Sequence, residues 1–446
     1  MRDGNTADLL ADLLAKARAA GADAADAVLV AGTSVAVQRR LGKVEHLERA
    51  EGRDLGLRVF VGRRSAIVSS SAVHPAGFAA LAERAVAMAR VVPEDPYSGL
   101  AETVIAPPDA GPLDLADAGE PDTETLGARA AAAEDAALAV PGVTNTEGAD
   151  AGFGRSEVHL VTSTGFAGHL VRTSHSVSAT ALAGQGTGMQ RDYDYSSAVH
   201  AADLDDPAAI GHSAGERAVA RLGPRRPKTA RVPVVYDPRV AGSLLGHLTG
   251  AINGASVARG TTFLKEKLHQ RILPAGTEVI DDPLRVRGLR SRPFDGEGQR
   301  TARRALIADG VLTTWLLDLR SARQLGLSTT GHAVRGAGSP PGPAPSNLYL
   351  AAGKCSPAAL MADIAEGVYV TELIGMGVNG VTGDYSRGAA GFMIRDGAIA
   401  EPVAEITIAG HLLEMFAHLT AADDLRFRRG TDSPTVRIDG MTVAGA

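Results

Sequence analysis

The sequence predicts an α+β fold in two parts: an N-terminal helix/strand domain over residues 1–225 and a C-terminal strand-rich domain with antiparallel sheets over 230–446. Short segments of alternating apolar residues, typical of half-buried strands, recur along both parts between glycines and prolines. The 52 glycines imply many turns and close backbone approaches. Aromatic residues make up only 4%, so we expect cores of Ala, Val, Leu and Ile. A chain of 446 residues is long enough for two or three such cores.

The N-terminal part is expected to begin with a helix over 6–20, because Leu9, Leu10, Leu13 and Leu14 form one apolar stripe at helical spacing. Period-two alternation and Ala-rich segments then predict a mixture of strands and helices. The strands are predicted over 26–30, 34–41, 44–49, 157–162, 166–176 and 177–184, and the further helices over 75–90, 123–139 and 207–222.

Two other features of this part have clear local signals. The apolar segments 55–61 and 65–69 flank Gly62-Arg63-Arg64, which is the pattern of a β-hairpin. Residues 93–121 are rich in proline and show little periodicity, so we expect a long loop there.

The C-terminal part follows a basic, proline-containing linker over 221–228. A strand is predicted over 231–236. Asp237 and Pro238 then begin a helix that extends to about Gly250, since Asp is a favoured N-cap and Pro suits the first helical position. The remaining strands are predicted over 278–282, 305–309, 311–317 and 435–443, and the remaining helices over 357–366 and 408–419.

Composition excludes several classes of protein. A net charge of −6 and a pI near 6.1 do not fit a nucleic-acid-binding protein, and the basic run over 221–228 is interpreted as a solvated linker. The single cysteine, Cys355, cannot form a disulfide within the chain and fits a reducing compartment. Apolar runs fall short of the ~20 residues that a membrane span needs. We therefore expect a cytoplasmic protein without nucleic-acid or membrane partners.

Common catalytic motifs are absent or out of context. The sequence contains neither a phosphate-binding P-loop nor a His-Glu-x-x-His zinc motif. The Gly-x-Ser-x-Gly match over 211–215 lies inside a predicted helix instead of at a strand-to-helix turn. The Gly-x-Gly-x-x-Gly match over 375–380 has no helix after it that could hold a pyrophosphate.

Three weaker candidates for chemistry remain. His411, Glu414 and His418 have a spacing that places them on one face of the predicted helix 408–419, where they could bind zinc or simply face solvent. Cys355 follows Lys354 near a predicted helix start, which would favour its thiolate. The preferred interpretation is a non-catalytic cysteine in a turn. His247 has no partner at helical spacing and is expected to be an ordinary helix histidine.

Two glycine-bracketed segments carry the candidate site residues. The first, 291–298, contains Asp295 and Glu297, and the second, 381–392, contains Tyr385 and Arg387. Charged groups among glycines allow close backbone approach, so these four residues are candidates for binding or interface positions. The alternative is turn architecture, in which Asp295 and Asp384 close local turns with their own carboxylates.

A series of motifs in the C-terminal part resembles a known family. In order they include Phe294-Asp-Gly-Glu-Gly298, Leu325-Gly-Leu-Ser-Thr-Thr-Gly331, Val378-Asn-Gly-Val-Thr-Gly-Asp-Tyr-Ser-Arg-Gly-Ala-Ala-Gly-Phe392 and Pro402-Val-Ala-Glu-Ile-Thr-Ile-Ala-Gly410. With the hairpin segment Leu55-Gly-Leu-Arg-Val-Phe-Val61, this series resembles the TldD/PmbA family, and within it the PmbA (TldE) branch. The resemblance extends over nearly the whole chain.

The resemblance implies a division of labour between two subunits. TldD-type subunits are zinc peptidases with a His-Glu-x-x-x-His helix and a cysteine ligand, whereas PmbA-type subunits pair with them and lack that motif. The helix of this chain that matches is 238–254, which contains His247 but no His-Glu pair. One histidine cannot make a three-ligand zinc site with an adjacent base. We therefore expect no catalytic residue, metal site or cofactor in this chain, and zinc in a TldD-like partner.

The predicted function is that of a non-catalytic PmbA/TldE-like subunit. It would pair with a TldD-like zinc metalloprotease in a chamber that degrades or processes unfolded or short peptides. A regulatory binding protein of the gyrase-modulator type and an autonomous metallopeptidase are the alternatives. A homodimer of the isolated chain is possible, because a surface that fits a homologous subunit can also fit its own copy.

Overall fold

The structure is a computed structural model that describes residues 3–445, and it confirms the α+β class. The helices are α1 Asp3–Ala19, α2 Phe78–Val91, α3 Thr123–Leu138, α4 Pro207–Ala220, α5 Pro238–Ala251, α6 Gly254–Ala258, α7 Leu319–Leu325, α8 Pro357–Met361 and α9 Leu412–Ala417. The first strands are β1 Ala24–Arg40, β2 Lys43–Val61, β3 Arg64–Ser70, β4 Val143–Thr162, β5 Ala167–Ala183, β6 Gln190–Ala198 and β7 Ala230–Tyr236. They are followed by β8 Val279–Asp281, β9 Arg304–Ala308, β10 Val311–Leu312, β11 Ala333–Val334, β12 Gly342–Pro343, β13 Leu348–Leu350, β14 Glu366–Ile374, β15 Asp384–Arg395, β16 Ala398–His411, β17 Leu419–Ala421, β18 Thr431–Asp432 and β19 Val436–Ala444.

The N-terminal half is built on one antiparallel sheet in the order β3-β2-β1-β4-β5-β6. Side chains alternate between its two faces, so one face can bind helices while the other meets a second layer. Leu29 and Leu57 pack under α1 and α2, and farther along the same face Val37 and Ala151 pack under α3 and α4. The opposite face contacts the C-terminal half through Phe294 and Ala337.

The helices begin where the sequence provides caps. The side chain of Asp122 accepts a hydrogen bond from Thr125 N at the start of α3, and Asp206 accepts from Ala208 and Ala209 N at the start of α4. Asp237 accepts from Arg239 N in the same way, and Pro238 occupies the first turn of α5. These contacts satisfy amide groups that have no partner within the helix.

The C-terminal half contains a mixed sheet in the order β16-β15-β14-β7-β19-β17, in which β16 also pairs with β19. This additional pairing closes β7, β14, β15, β16 and β19 into a ring. Only β7 and β14 run parallel within that ring, so its sheet is largely antiparallel. Helix α5 packs against the ring through Leu244 and Leu248, which belong to the largest apolar core.

Several predicted strands are parts of longer ones. The segments 26–30 and 34–41 lie within the single strand β1, apart from the terminal residue 41, and 44–49 and 55–61 lie within β2. The segments 166–176 and 177–184 fall within β5, apart from the terminal residues 166 and 184. Pairing with one or two neighbouring strands extends these strands across polar and glycine-containing stretches that local patterns mark as breaks. The predicted hairpin and the long loop over 93–121 are both confirmed, the loop with one short 3₁₀ turn, Gly111–Leu113.

Three C-terminal predictions need correction. The predicted helix 408–419 is wrong at its start, because β16 continues to His411 and α9 is confined to Leu412–Ala417. Ile406 and Ile408 alternate with Thr407 and pair with β15, so tertiary pairing overrides the helical pattern. Helix α8 is shorter than the predicted 357–366, and β10 is shorter than the predicted strand 311–317.

A membrane-spanning helix is not found within residues 3–445.

Candidate functional site

The four residues singled out from the sequence lie in two separate networks, and all four are buried within the chain. Tyr385 and Arg387 project from β15 toward α5, whereas Asp295 and Glu297 lie in a loop against the N-terminal sheet. Each pair comes from one glycine-bracketed segment, and the two pairs do not share a surface. Their role in binding or in an interface stays a prediction.

The first network, which we call the α5–β15 cluster, consists of Tyr236, His247, Tyr385 and Arg387. Tyr236 ends β7, immediately before Asp237 caps α5, and His247 lies three turns into that helix. Tyr385 and Arg387 are two residues apart on β15, so both side chains project from the same face of the strand. The fold thus brings β7, α5 and β15 together around these side chains.

The contacts within the α5–β15 cluster are close and specific. The hydroxyl oxygens of Tyr236 and Tyr385 lie 3.4 Å apart, within hydrogen-bond distance. The ring of His247 stands edge-on to that of Tyr385, with centroids 5.8 Å apart and an interplanar angle of 80°. Arg387 donates from Nε to the carbonyl oxygen of Ile374 at 3.4 Å. The cluster therefore contains one imidazole, two phenols and one guanidinium.

The electrostatic environment keeps this imidazole neutral. Burial lowers the pKa of His247, and the positive charge of Arg387 lowers it further. Burial raises the pKa values of Tyr236 and Tyr385, so both phenols stay protonated near neutral pH. Nε2 of His247 is buried and has no hydrogen-bond partner among residues 3–445. A neutral imidazole and two phenols can exchange hydrogen bonds, but the cluster offers no carboxylate and no second imidazole for zinc.

The second network, which we call the junction network, joins the two halves of the chain through buried charges. Asp26 on β1 is held by two guanidinium groups, those of Arg58 on β2 and Arg335 from the C-terminal half. Arg58 also lies 3.7 Å from Glu297, measured between Nη1 and Oε1. Asp295 accepts hydrogen bonds from the backbone amides of Glu297 and Gln299, each at 2.9 Å.

The pKa values of the carboxyl groups in the junction network shift in opposite directions. Burial raises the pKa of Asp26, but the charges of Arg58 and Arg335 outweigh that effect, and its pKa is lowered. Burial raises the pKa of Glu297 to about 7, because Arg58 is shared with the nearer Asp26 and Asp295 adds negative charge. The pKa of Asp295 is also raised by burial, against three backbone hydrogen bonds that lower it.

The alternative interpretation of the glycine-bracketed segments holds for one of them. Asp295 closes its own loop by accepting from two backbone amides, as a turn-forming carboxylate does. In the second segment the turn is closed by Asn379, which accepts from Val381 N at 3.0 Å. Asp384 instead accepts a hydrogen bond from the Thr382 hydroxyl, at 2.6 Å.

The trio His411, Glu414 and His418 does not form a ligand set. His411 ends β16, where its Nδ1 accepts from Leu413 N and its Nε2 contacts the carbonyl oxygen of Thr382 at 2.8 Å. His418 contacts the backbone oxygen of Glu414, not its carboxylate. Within residues 3–445, one group of three potential ligands has its atoms within 4.8 Å of one another, and it comprises Glu157, His159 and His169.

Sequence reasoning missed several residues of these networks. Asp26, Arg58 and Arg335 are distant in sequence, so only the folded chain brings their charges together. The sequence predicts His247 to be an isolated helix histidine, because its neighbour Tyr385 lies on a strand that is distant in sequence. A usable signal was present for Glu157 and His159, which are two residues apart on a strand and are followed by a tight turn and His169.

Comparison with known proteins gives a consistent result. Family models described as PmbA/TldA metallopeptidase domain 1, central domain and C-terminal domain match residues 25–89, 116–222 and 229–445. The "Metalloprotease PmbA" of Escherichia coli O157:H7 is 37% identical over 95% of this chain and 92% of its own length. The "Metalloprotease PmbA homolog" of Haemophilus influenzae is 34% identical over 96% and 93%.

Two solved structures share the fold over essentially their whole length. A crystal structure from Bacteroides thetaiotaomicron, described as a putative modulator of DNA gyrase, has a TM-score of 0.90 and 26% identity and covers 100% of this chain and 99% of its own. TldE from Thermococcus kodakarensis has a TM-score of 0.84 and covers 98% and 100%, and at 18% identity this likeness concerns the fold alone.

Proposed function

The chain belongs to the PmbA/TldD family of metallopeptidases, and we propose that it is a non-catalytic PmbA/TldE-like subunit that pairs with a TldD-like zinc metalloprotease. The pair would enclose a chamber in which unfolded or short peptides are degraded or processed. Zinc for the hydrolysis would be held by the TldD-like subunit.

The composition of the α5–β15 cluster is the observation on which this proposal rests. Helix α5 matches the position where the resemblance places the catalytic zinc helix, and it presents only His247. Its neighbours Tyr385 and Arg387 supply a phenol and a positive charge in place of a second imidazole and a carboxylate. A cation beside the imidazole also disfavours binding of a second cation there. Hydrolysis at this cluster by a zinc-bound water therefore lacks both its ligands and its base.

Exposed apolar side chains next to the cluster support the pairing. Ile374 ends β14, and Met376 and Val381 lie in the connection between β14 and β15; the three are 55%, 83% and 55% exposed. The connection is tied to the cluster, because Arg387 donates to the carbonyl oxygen of Ile374. Exposed apolar groups of this kind are typical of protein–protein contacts, and here they would bring the partner beside α5.

An unpaired strand edge supports the peptide part of the proposal. Strand β2 pairs with β3 only over 55–61, so among the described residues its segment 43–54 has a neighbour on one side only, β1. Extended peptides can add to such an edge through backbone hydrogen bonds, largely independent of their sequence. A partner subunit that encloses the edge would restrict access to unfolded chains.

The proposal is tested by measuring assembly and peptide hydrolysis with purified proteins. We expect this chain, supplied with zinc, to leave an unfolded fluorogenic casein intact, and a mixture with a TldD-like subunit to form a complex and cleave it. Met376→Asp should weaken assembly, as followed by light scattering. Val91→Asp is the matched control, because Val91 is also 83% exposed but lies at the end of α2.

Each contrary outcome points to a different function. Cleavage by the chain alone would make it an autonomous metallopeptidase. Failure to assemble with a TldD-like subunit would favour a regulatory binding protein, as the description of the Bacteroides structure suggests for that protein. Equal assembly of both variants would place the contact away from the β14–β15 connection.

A further inference from the structure

Three potential metal ligands meet on the helix-covered face of the N-terminal sheet, remote in sequence from the α5–β15 cluster. Glu157 and His159 lie on β4, and His169 lies on β5. One ligand atom from each lies within 4.8 Å of the other two. We call these residues the β4–β5 triad.

The sheet itself fixes the β4–β5 triad. Glu157 and His159 are two residues apart on one strand, so their side chains project from the same face. His159 is directly opposite His169 in the antiparallel pairing of β4 and β5. The two imidazole rings stack with centroids 4.1 Å apart and an interplanar angle of 11°. The three side chains are thus positioned by backbone pairing, and no loop has to become ordered to bring them together.

The distances are close to those of a metal-ligand set. Oε1 of Glu157 lies 2.8 Å from Nε2 of His159 and 3.1 Å from Nε2 of His169. Ligand atoms around a tetrahedral zinc ion, with bonds of about 2.0–2.1 Å, are separated by roughly 3.3 Å. To bind one ion, the two stacked rings would also have to tilt so that their in-plane nitrogen lone pairs converge.

The burial of the three side chains is uneven and leaves one side open. The side chain of His159 is 5% exposed, whereas those of Glu157 and His169 are 31% and 32% exposed. A surface groove lined by Thr33, Arg53 and Arg155 begins beside Glu157. An ion held here would have a solvent-facing position for water or a fourth ligand.

We propose that Glu157, His159 and His169 bind a divalent transition-metal ion such as Zn²⁺. Two imidazoles and one carboxylate are a ligand set of zinc and of other first-row metals. Three protein ligands with a solvent-facing position resemble the composition of an open site more than that of a closed structural one. This site differs from the zinc that we assign to the partner subunit, and it is a departure from our expectation of no metal in this chain.

A simpler arrangement uses the same residues without a metal ion. A carboxylate that accepts hydrogen bonds from two histidines would also place its oxygen near both Nε2 atoms. The two arrangements differ in what metal ions do to the protein, so a direct titration separates them.

The test is titration of the full, tag-free chain with Co²⁺ after chelator treatment, followed by competition with Zn²⁺. We expect one equivalent to bind, with the visible absorption bands of a four- or five-coordinate ion, and the thermal midpoint to rise. Glu157→Gln and His169→Gln should each reduce the affinity by more than the ~10–100-fold loss that follows removal of a second-shell partner.

His46→Gln is the matched control, because His46 also lies two residues from a glutamate on a strand. Its Nε2 is 3.3 Å from Glu48, and both side chains are exposed. This variant should bind Co²⁺ like the unaltered chain. His169 is partly exposed, so His169→Gln should fold normally, and its melting curve without metal checks this.

Two outcomes would overturn the proposal. One is the absence of saturable Co²⁺ binding by the unaltered chain. The other is equal affinity of the unaltered chain, Glu157→Gln and His169→Gln. Either result would leave Glu157 as a hydrogen-bond acceptor shared by two histidines.

Discussion

Asp26 and Arg335, 309 positions apart in the sequence, form a buried ion pair that connects the first strand of the N-terminal sheet to the C-terminal half. Arg58 binds the same carboxylate from β2. Arg335 donates to Asp26 from Nη1, and its buried Nε and Nη2 have no hydrogen-bond partner among the described residues. The carboxylate of Asp26 is therefore the main compensation for two buried positive charges.

Asp26→Ala should be strongly destabilising for that reason. Removal of one partner from a buried ion pair leaves an uncompensated charge and typically costs about 3–5 kcal/mol. The measurement is the free energy of unfolding in urea at pH 7. Asp363→Ala is the control: Asp363 pairs with Arg437 across a similarly non-local contact, but its side chain is 72% exposed. An exposed pair contributes at most about 1 kcal/mol. Equal losses in the two variants would contradict the role assigned to Asp26.

Glu297 should make the folded state less stable as pH rises toward neutrality. Its pKa is about 7 when folded and 4.5 in the ordinary case. The folded state thus holds an extra proton between these values. The stability from this group is fully present below pH 4.5 and is lost as pH rises through 7, by up to about 3 kcal/mol. The Glu297→Gln variant should lose this dependence and gain stability relative to the unaltered chain at pH 8.

The difference in unfolding free energy between Glu297→Gln and the unaltered chain isolates the titration of Glu297 from that of the other carboxyl groups. Urea unfolding at pH 5, 6, 7 and 8 gives the free energy of each. Glu266→Gln is the control, because Glu266 is exposed and its side chain forms no ion pair among the described residues. A constant difference between Glu297→Gln and the unaltered chain over this range would show that Glu297 is ionised throughout.

Local signals in the sequence predicted α3, α4 and α5, which begin after capping aspartates, and the hairpin between β2 and β3. They did not predict the length of β1, because Gly32 resembles a break until Gly52 and Ser156 pair with it from both sides. The same limit applies to His411, which a helical spacing grouped with Glu414. Pairing of β15 with β16 places it at the end of a strand instead.

The candidate sites show the same division between local and tertiary information. The spacing of Tyr385 and Arg387 places them on one face once their segment forms a strand, and the sequence singles out both as candidates. The sequence does not specify that this face lies against His247, since the contact depends on how α5 packs on the ring of strands. The contact of Glu297 with Arg58 of the other half likewise depends on the tertiary fold.

Gly56→Ala should loosen the contact between the two halves. A Cβ atom at this position of β2 would overlap the backbone carbonyl of Ala337, and a backbone group has little freedom to move away. Overpacking of this kind typically costs about 1–3 kcal/mol. Gly52→Ala on the same strand is the control, because its Cβ would have no neighbour within 4 Å. The measurements are the free energy of unfolding in urea and the rate of amide exchange in both variants. Lower stability and faster exchange in residues 333–338 in Gly56→Ala alone would support close packing there. Equal behaviour of the two variants would contradict it.

Arg387→Met should raise the pKa of His247 while leaving it below the ordinary value. The substitution removes the positive charge that disfavours the imidazolium, whereas the burial that also lowers the pKa remains. NMR titration of the imidazole resonances gives the value directly, with the exposed His212 as an internal reference. Arg259→Met is the control, since Arg259 is an exposed arginine beyond the end of α6. A pKa of His247 that is the same in Arg387→Met and Arg259→Met would mean that the imidazole does not sense Arg387. Metal binding at the α5–β15 cluster would then be disfavoured only by burial and by the missing ligands.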